Sequence, residues 1–151
     1  MRRLIVTPIS LSLLLICCAV SLASSDARKF LEYGSVEANC ETEMAHLDNY
    51  AIAIQNAPEM KAYVVVYGGR QDTARSELQA RRSRIKRYLI NERGIEPARV
   101  FVVGGGFRES LTIDLWLVPI GAEAPKAKPT VSPKEVKYKR AKYSFNCSTF
   151  Y

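Results

Sequence analysis

Residues 62–89, "AYVVVYGGRQDTARSELQARRSRIKRYL", join an apolar run to a basic segment across two glycines. The run "AYVVVYG" is apolar at successive positions, which is typical of a strand buried on both faces. In the basic half, apolar residues recur at helical steps of three and four. This stripe consists of Ala74, Leu78, Ile85, Tyr88 and Leu89. We therefore predict a strand, a turn at Gly68 and Gly69, and a helix over about residues 73–91.

The flanking segments extend an alternation of strands and helices. "KFLEYGSV" alternates as a short strand, and Asn39 can cap a following helix whose first turn holds Glu41 and Glu43. The apolar stripe of that helix consists of Met44, Leu47, Ala51 and Ile54. After the second helix, Gly94 can end it in the left-handed conformation. Two strands follow, "VFVVG" and "LTIDLWLVP", with Gly104 to Gly106 predicted as their hairpin turn.

The predicted order β-α-β-α-β-β indicates an α/β fold of the α+β sandwich type. Because buried strands alternate with amphipathic helices, we expect both helices to pack on one face of a mixed sheet.

The chain divides into four segments by composition. Residues 1–23 predict a secretory signal cleaved after Ala23, because Arg2 and Arg3 precede an uncharged run that closes on small residues. The alternative is an uncleaved anchor helix, which would be the protein's contact with a membrane. Residues 24–119 form the predicted domain, 120–133 a Pro-rich linker, and 134–151 a basic, aromatic C-terminal tail.

Export predicts a location in the periplasm or cell envelope and a disulfide between Cys40 and Cys147, with two free thiols as the alternative. The net charge of +7 does not predict nucleic-acid binding, because residues 24–118 hold thirteen basic and thirteen acidic residues. The chain has one histidine, His46, predicted at the surface or boundary, and no metal-spaced cluster. We therefore predict a protein that is not an enzyme and needs no cofactor.

Arg81 is the main candidate for binding a ligand. It interrupts the apolar stripe of the second helix, where steps of three and four from Leu78 reach Arg81 and Arg82. A guanidinium at such a position must find an acceptor, either an internal acid or the carboxylate of a ligand. Basic side chains and loop amides at the start of this helix could form an anion pocket. The candidate loop residues are Gly69, Arg70, Gln71 and Asp72.

Residues 30–118 resemble the C-terminal, peptidoglycan-associating domain of the OmpA-like family. The likeness rests on "LDNYA" at 47–51, on the buried strand that ends in "GG", and on several positions in and after the second helix. These positions are Arg81, Ile85, Tyr88, Leu89, Gly94, Ile95 and Arg99. The resemblance implies an outer-membrane or envelope protein whose Arg81 grips the carboxylate of diaminopimelate in the peptidoglycan stem peptide.

Two of the three ligand-gripping motifs of the family are altered. The Gly-His-Thr-Asp motif reads Gly68-Gly69-Arg70-Gln71, with Asp72 one place late, and the Asn-Arg-Arg-Val motif is replaced by "SLTIDLWLV". Two functions therefore stay open for a non-enzymatic envelope protein. It could bind peptidoglycan, or it could be a degenerate structural or protein-interaction module that contacts another envelope protein. In the second case the tail aromatics, Tyr138, Tyr143, Phe145, Phe150 and Tyr151, would supply the contact surface.

Overall fold

The apolar run quoted above forms the centre of the sheet. The computed structural model describes residues 26–34, 39–71 and 73–139. Its main elements are β1 (Arg28–Gly34), α1 (Cys40–Gln55), β2 (Met60–Gly69), α2 (Arg75–Arg87), β3 (Val100–Arg108) and β4 (Thr112–Pro119). A π-helical turn, Tyr88–Glu92, extends α2, and short 3₁₀ turns occupy Pro97–Arg99 and Pro133–Glu135.

Four strands of the described chain form one sheet in the order β1-β4-β2-β3. Strand β2 pairs in parallel with β3 and antiparallel with β4, and β4 pairs antiparallel with β1. The sheet is therefore mixed, and the predicted α+β sandwich with the order β-α-β-α-β-β is confirmed.

Both helices pack on one face of the sheet. The core combines the buried stripes of the helices with alternate residues of all four strands, because successive strand residues point to opposite faces. Its helical members are Leu47, Tyr50, Ala51, Ile54, Ile85, Tyr88 and Leu89. Its strand members include Tyr33, Ala62, Val64, Val66, Val100, Ile113, Leu115 and Leu117. The predicted stripes are thus the faces that the helices bury.

Helix α1 has defined ends. The side chain of Asn39 accepts a hydrogen bond from the backbone N–H of Thr42 at 3.0 Å, which confirms the predicted cap. At the other end, Arg99 Nη2 donates to the carbonyls of Ile54 and Ala57, both at 2.8 Å. Arg99 Nη2 also donates to the carbonyl of Met60 at 2.7 Å, so this side chain ties the end of α1 to the start of β2 and has a structural role.

Helix α2 ends as predicted from its glycine. Gly94 has φ 65°, the left-handed conformation that terminates helices, and the N–H of Ile95 returns to the carbonyl of Leu89 at 3.0 Å. The helix is shorter than predicted, because its last turn, from Tyr88, is π-helical.

Glycines predicted as turns are strand residues. Gly68 and Gly69 belong to β2, and Gly104 to Gly106 belong to β3, while residues 109–111 connect β3 to β4. The turn prediction at both places is therefore wrong. The glycines leave room for neighbouring groups instead: a Cβ at Gly68 would lie 2.8 Å from the ring of Phe107, and one at Gly105 would collide with Tyr67. Of these five glycines, only Gly106 has a positive φ, 87°, and Pro129 packs against it.

The Pro-rich segment predicted as a linker packs on the domain. The N–H of Lys128 donates to the hydroxyl of Tyr67 at 3.1 Å, and Val131 is buried. Further on, the N–H groups of Lys137 and Lys139 donate to the carbonyls of Arg70 and Thr73. The described residues after Pro119 are therefore held to the sheet and to the loop before α2, because their backbone groups bond to it at several points.

Candidate functional site

Arg81 lies in the apolar stripe of α2, as its phase predicts, and only 2% of it is exposed. Its guanidinium forms ion pairs with Glu43 of α1 and with Glu77 one turn earlier on α2, the latter at 3.1 Å. Of the two acceptors left open by the sequence, an internal acid or a ligand, the structure contains the internal acid.

Glu43 was missed as a site residue. It is 1% exposed and pairs with both Arg81 and Arg84, so one buried carboxylate joins two guanidinium groups across the helix interface. Its signal was present in the sequence, because Glu43 lies four residues before Leu47 and therefore in phase with the apolar stripe of α1. An acid and a base that interrupt the buried stripes of two helices are expected to pair, since either alone would be a buried charge.

Tyr33 of β1 and His46 of α1 lie beside this cluster. Their rings are 4.9 Å apart, and burial, followed by the negative charge of Glu43, raises the pKa of Tyr33 well above its usual value. Within the described chain, neither the Tyr33 hydroxyl nor His46 Nε2 has a hydrogen-bond partner. His46 is partly buried, which confirms its predicted position at the boundary.

The loop before α2 uses its polar groups internally. The N–H of Gly69 donates to Thr73 Oγ1 at 2.8 Å, so this amide already has an acceptor. Gln71 is exposed, and Asp72 lies outside the described residues. The loop amide that was predicted to help bind an anion therefore stabilises the turn itself.

Arg70 is held by two acids from other parts of the chain. Its Nη2 lies 2.7 Å from Glu109 and its Nη1 2.9 Å from Glu135. The hydrogen bonds that Arg70 donates to these carboxylates raise its pKa, and Arg70 in turn lowers the pKa of Glu109. Arg70 and Arg81 thus pair with different acids and have no acid in common.

A second buried acid, Asp114 of β4, lies on the sheet face opposite the helices. It is 1% exposed and pairs with Arg108 at 3.0 Å and with Lys29 at 3.3 Å. Glu32 of β1 is its cross-strand neighbour. Burial, followed by a hydrogen bond with Glu32, raises the pKa of Asp114, whereas hydrogen bonding to Lys29 lowers the pKa of Glu32.

The sequence concealed Asp114 because it alternates with Ile113 and Leu115, as a solvent-facing strand residue would. In the structure the segment after Pro119 packs on the outer face beside Tyr67, and Arg108 links this segment to Asp114. Its Nε donates to the carbonyl of Lys128 at 3.4 Å, and its guanidinium carbon lies 3.7 Å from the centre of the Tyr67 ring.

A cleft of about 280 Å³ lies where α1 meets the end of the second helix. Asp48 on its wall accepts hydrogen bonds from Arg93 Nε at 2.6 Å and from the Tyr88 hydroxyl. Burial and the bond to Asp48 raise the pKa of Tyr88 to about 12, so this phenol stays protonated at neutral pH.

Cys40, at the first position of α1, is disulfide-bonded. It is the one cysteine in the described ranges, so its partner lies outside them. Pairing with Cys147 stays a prediction.

Neither a metal centre nor a membrane span is found in the described ranges. Across residues 26–34, 39–71 and 73–139, no three side chains among His, Cys, Asp and Glu are grouped to hold a metal ion. In the same ranges, every helix is too short or too polar to cross a bilayer.

Each residue of the predicted ligand site thus has a defined position, except Asp72. Arg81, Arg70 and Gly69 contact partners within the chain, and Gln71 faces solvent. The resemblance to the OmpA-like family stays a prediction, since no protein-family model and no curated protein matches the chain.

Proposed function

We propose that this protein is a non-enzymatic, exported envelope protein whose OmpA-like domain is a structural or protein-interaction module that does not bind peptidoglycan through Arg81. The observation that carries the proposal is the buried ion pair between Arg81 and Glu43. A stem-peptide carboxylate would have to displace Glu43, and the displaced carboxylate would then remain buried with only Arg84 left of its two arginine partners. Such an exchange is unfavourable, because removing one partner from a buried ion pair costs about 3–5 kcal/mol.

The loop supports the same conclusion. Arg70 would be the second cation of a carboxylate site, yet Glu109 and Glu135 already pair with it. Because Glu135 lies beyond β4, the C-terminal segment itself occupies the position that a ligand of Arg70 would take. The domain retains the scaffold on which the resemblance rests and uses these two cations to hold that scaffold together.

Co-sedimentation with purified peptidoglycan sacculi tests the proposal. We expect the full chain to stay in the supernatant at physiological salt. Weak binding at low salt is expected from the basic residues after Pro119, and it should disappear as salt is raised, because exposed charges are screened.

Salt-resistant binding that is lost in Arg81→Ala but kept in Lys86→Ala would overturn the proposal and restore the wall-binding function. Lys86 is an exposed cation on the same helix, so its variant controls for net charge. Circular dichroism of both variants separates loss of binding from loss of folding. Cross-linking in intact cells should instead join the chain to a defined envelope protein.

A further inference from the structure

The two edges of the sheet differ in how they are protected. Strand β1, at one edge, carries the charged residues Arg28, Lys29 and Glu32. Strand β3, at the other edge, reads "VFVVGGGF" from Val100 to Phe107 and holds no charge over these positions. Natural edge strands usually carry charges or prolines that prevent pairing with other chains, so β3 has the character of an edge that accepts a strand.

One residue of the chain already pairs antiparallel with the end of this edge. Val131 forms an antiparallel bridge with Phe107, on the side of β3 away from β2, because Gly68 of β2 already occupies the near side. The N–H groups of Thr130 and Val131 both donate to the carbonyl of Phe107, at 2.9 and 3.1 Å.

This pairing stops after Val131 for a local reason. Pro133 lacks an N–H group and begins a 3₁₀ turn, so the segment leaves the edge instead of continuing along it. From Val100 to Gly106, the described residues therefore supply no strand on the far side of β3.

Arg82 places a positive charge at this open edge. Its guanidinium lies against Gly104, in the space that a side chain at that position would fill, on the helix-facing side of the sheet. The neighbouring arginines of α2, Arg81 and Arg84, pair with Glu43, whereas Arg82 has neither an ion pair nor a hydrogen bond with any described residue. It is partly buried, so an incoming carboxylate would meet a cation that is only partly hydrated.

We propose that the open edge of β3 binds an extended acidic segment of a partner protein by strand addition. The segment lies antiparallel to Val100–Gly106 and directs one carboxylate to Arg82. On the opposite face, the ring of Phe101, which is 41% exposed and stacks on Tyr63, contacts an apolar side chain of the segment. Backbone hydrogen bonds supply the affinity of this pairing, and the contact between the carboxylate and Arg82 supplies its selectivity for acidic segments. This inference rests on the proposed function as an interaction module and names its contact surface.

Charge favours an acidic partner over a second copy of this chain. In a two-fold antiparallel pair of β3 strands centred near the middle of Val100–Gly106, Gly104 of one copy would lie near Gly104 of the other, which would bring the two Arg82 side chains together. Like charges facing each other across an interface oppose such a pair. An acidic segment replaces this repulsion by attraction.

The proposal is tested by measuring how three synthetic nonapeptides bind to the full chain. They alternate Thr and Val and carry Glu, Gln or Lys at the central Thr position, and their binding is followed by fluorescence anisotropy. We expect the Glu peptide to bind about tenfold more tightly than the Gln peptide, as one charge-assisted hydrogen bond predicts. The Lys peptide should bind most weakly. Hydrogen exchange should slow at the amides of residues 101–106 when the Glu peptide is bound.

Two controls separate strand addition from other binding. Arg82→Gln should abolish the preference for Glu over Gln, whereas Lys86→Gln, which removes a charge from an exposed site on the same helix, should preserve it. N-methylation of one alternate set of peptide nitrogens should abolish binding, and methylation of the other set should not, because only one set faces the edge.

Equal binding of the Glu and Gln peptides overturns the proposal, as does equal tolerance of both methylated sets or a lack of binding by all three peptides. A concentration-dependent dimer with protected β3 amides in the absence of peptide also overturns it, in favour of a second copy. None of these results restores peptidoglycan binding, which only the sacculus experiment can do, so the two proposals fail independently.

Discussion

The fold contains two buried carboxylates, Glu43 between the helices and Asp114 on the opposite face of the sheet, and their surroundings differ. Each is 1% exposed and each pairs with two cations. The cations at Glu43 are arginines whose side chains are 2% and 12% exposed. Those at Asp114, Arg108 and Lys29, are 16% and 36% exposed, and a second acid, Glu32, shares them.

The comparison shows that burial of an acid does not by itself define a site. Around Glu43 one cation is as buried as the acid and the other nearly so, and the cluster therefore depends on complete pairing. Around Asp114 the cations reach solvent and the neighbouring acid competes for them, so the charge of Asp114 is less necessary to the fold. The first cluster occupies the place where the resemblance predicts a ligand, and the second is part of how the C-terminal segment covers the sheet.

The largest expected effect concerns the helix-side cluster. Glu43→Ala and Arg81→Ala should each lower the free energy of unfolding by up to about 3–5 kcal/mol, because each removes one partner from a buried ion-pair cluster in which Glu77 and Arg84 replace only part of the lost pairing. In the double variant Glu43→Leu/Arg81→Leu, the free energy of unfolding should fall by much less than the sum of the two single-variant losses. Urea denaturation of the three variants measures these differences.

Glu41→Ala is the matched control, since Glu41 is an exposed acid in the same helical turn. The free energy of unfolding of Glu41→Ala should differ from that of the wild-type protein by no more than about 1 kcal/mol. Single-variant losses at Glu43 and Arg81 as small as this would show that the pair is not essential to the fold, and would weaken the case against ligand binding.

The second expected effect concerns the covered outer face. Gly105→Ala should destabilise the protein by about 1–3 kcal/mol, because the new methyl group would lie 2.6 Å from Val65 Cγ1 and collide with the Tyr67 ring. Thermal unfolding, compared with Gly34→Ala, measures the effect. At Gly34 a Cβ would lie 3.7 Å from its nearest neighbour, so little change is expected there. Equal effects at the two positions would contradict close packing of the outer face.

The smallest expected effect is the loss of the Asp114 charge. At neutral pH, Asp114→Asn should change the free energy of unfolding by less than about 1 kcal/mol, because Glu32 still faces Arg108 and Lys29. Asp114→Asn should therefore lower the free energy of unfolding much less than Glu43→Ala or Arg81→Ala does. Urea denaturation at a series of pH values provides the measurement.

The pH dependence has a definite sign. The pKa of Asp114 is raised in the fold above its ordinary value of 3.8, so its protonated form is the one that folding favours. The stability that it contributes is present below pH 3.8 and is lost as the pH rises through the higher folded pKa. The wild-type protein should therefore lose stability relative to Asp114→Asn as the pH rises through this window. A difference that grows in favour of the wild-type protein would refute the assignment.

The sequence predicted the elements of the fold better than their contacts. The cap at Asn39, the left-handed Gly94 and the buried stripes of both helices were all predicted correctly. The glycines at 104–106 were not, because a glycine that makes room for a ring from a neighbouring strand has the same sequence appearance as a glycine in a turn. Tyr67, which fills the space above Gly105, belongs to another strand.

For the site, the sequence alone determined that Arg81 is a guanidinium in a buried stripe and therefore needs an acceptor. Only the tertiary structure decided that the acceptor is Glu43, which is 38 residues away along the chain. In the same way, the sequence determined the alternation around Asp114, and the packing of residues after Pro119 decided that its face is covered. Helix phase, capping and strand alternation depend on neighbouring residues, so they can be read along the chain. The partner of a charge depends on which distant segments meet, and that is set by the packing of the whole domain.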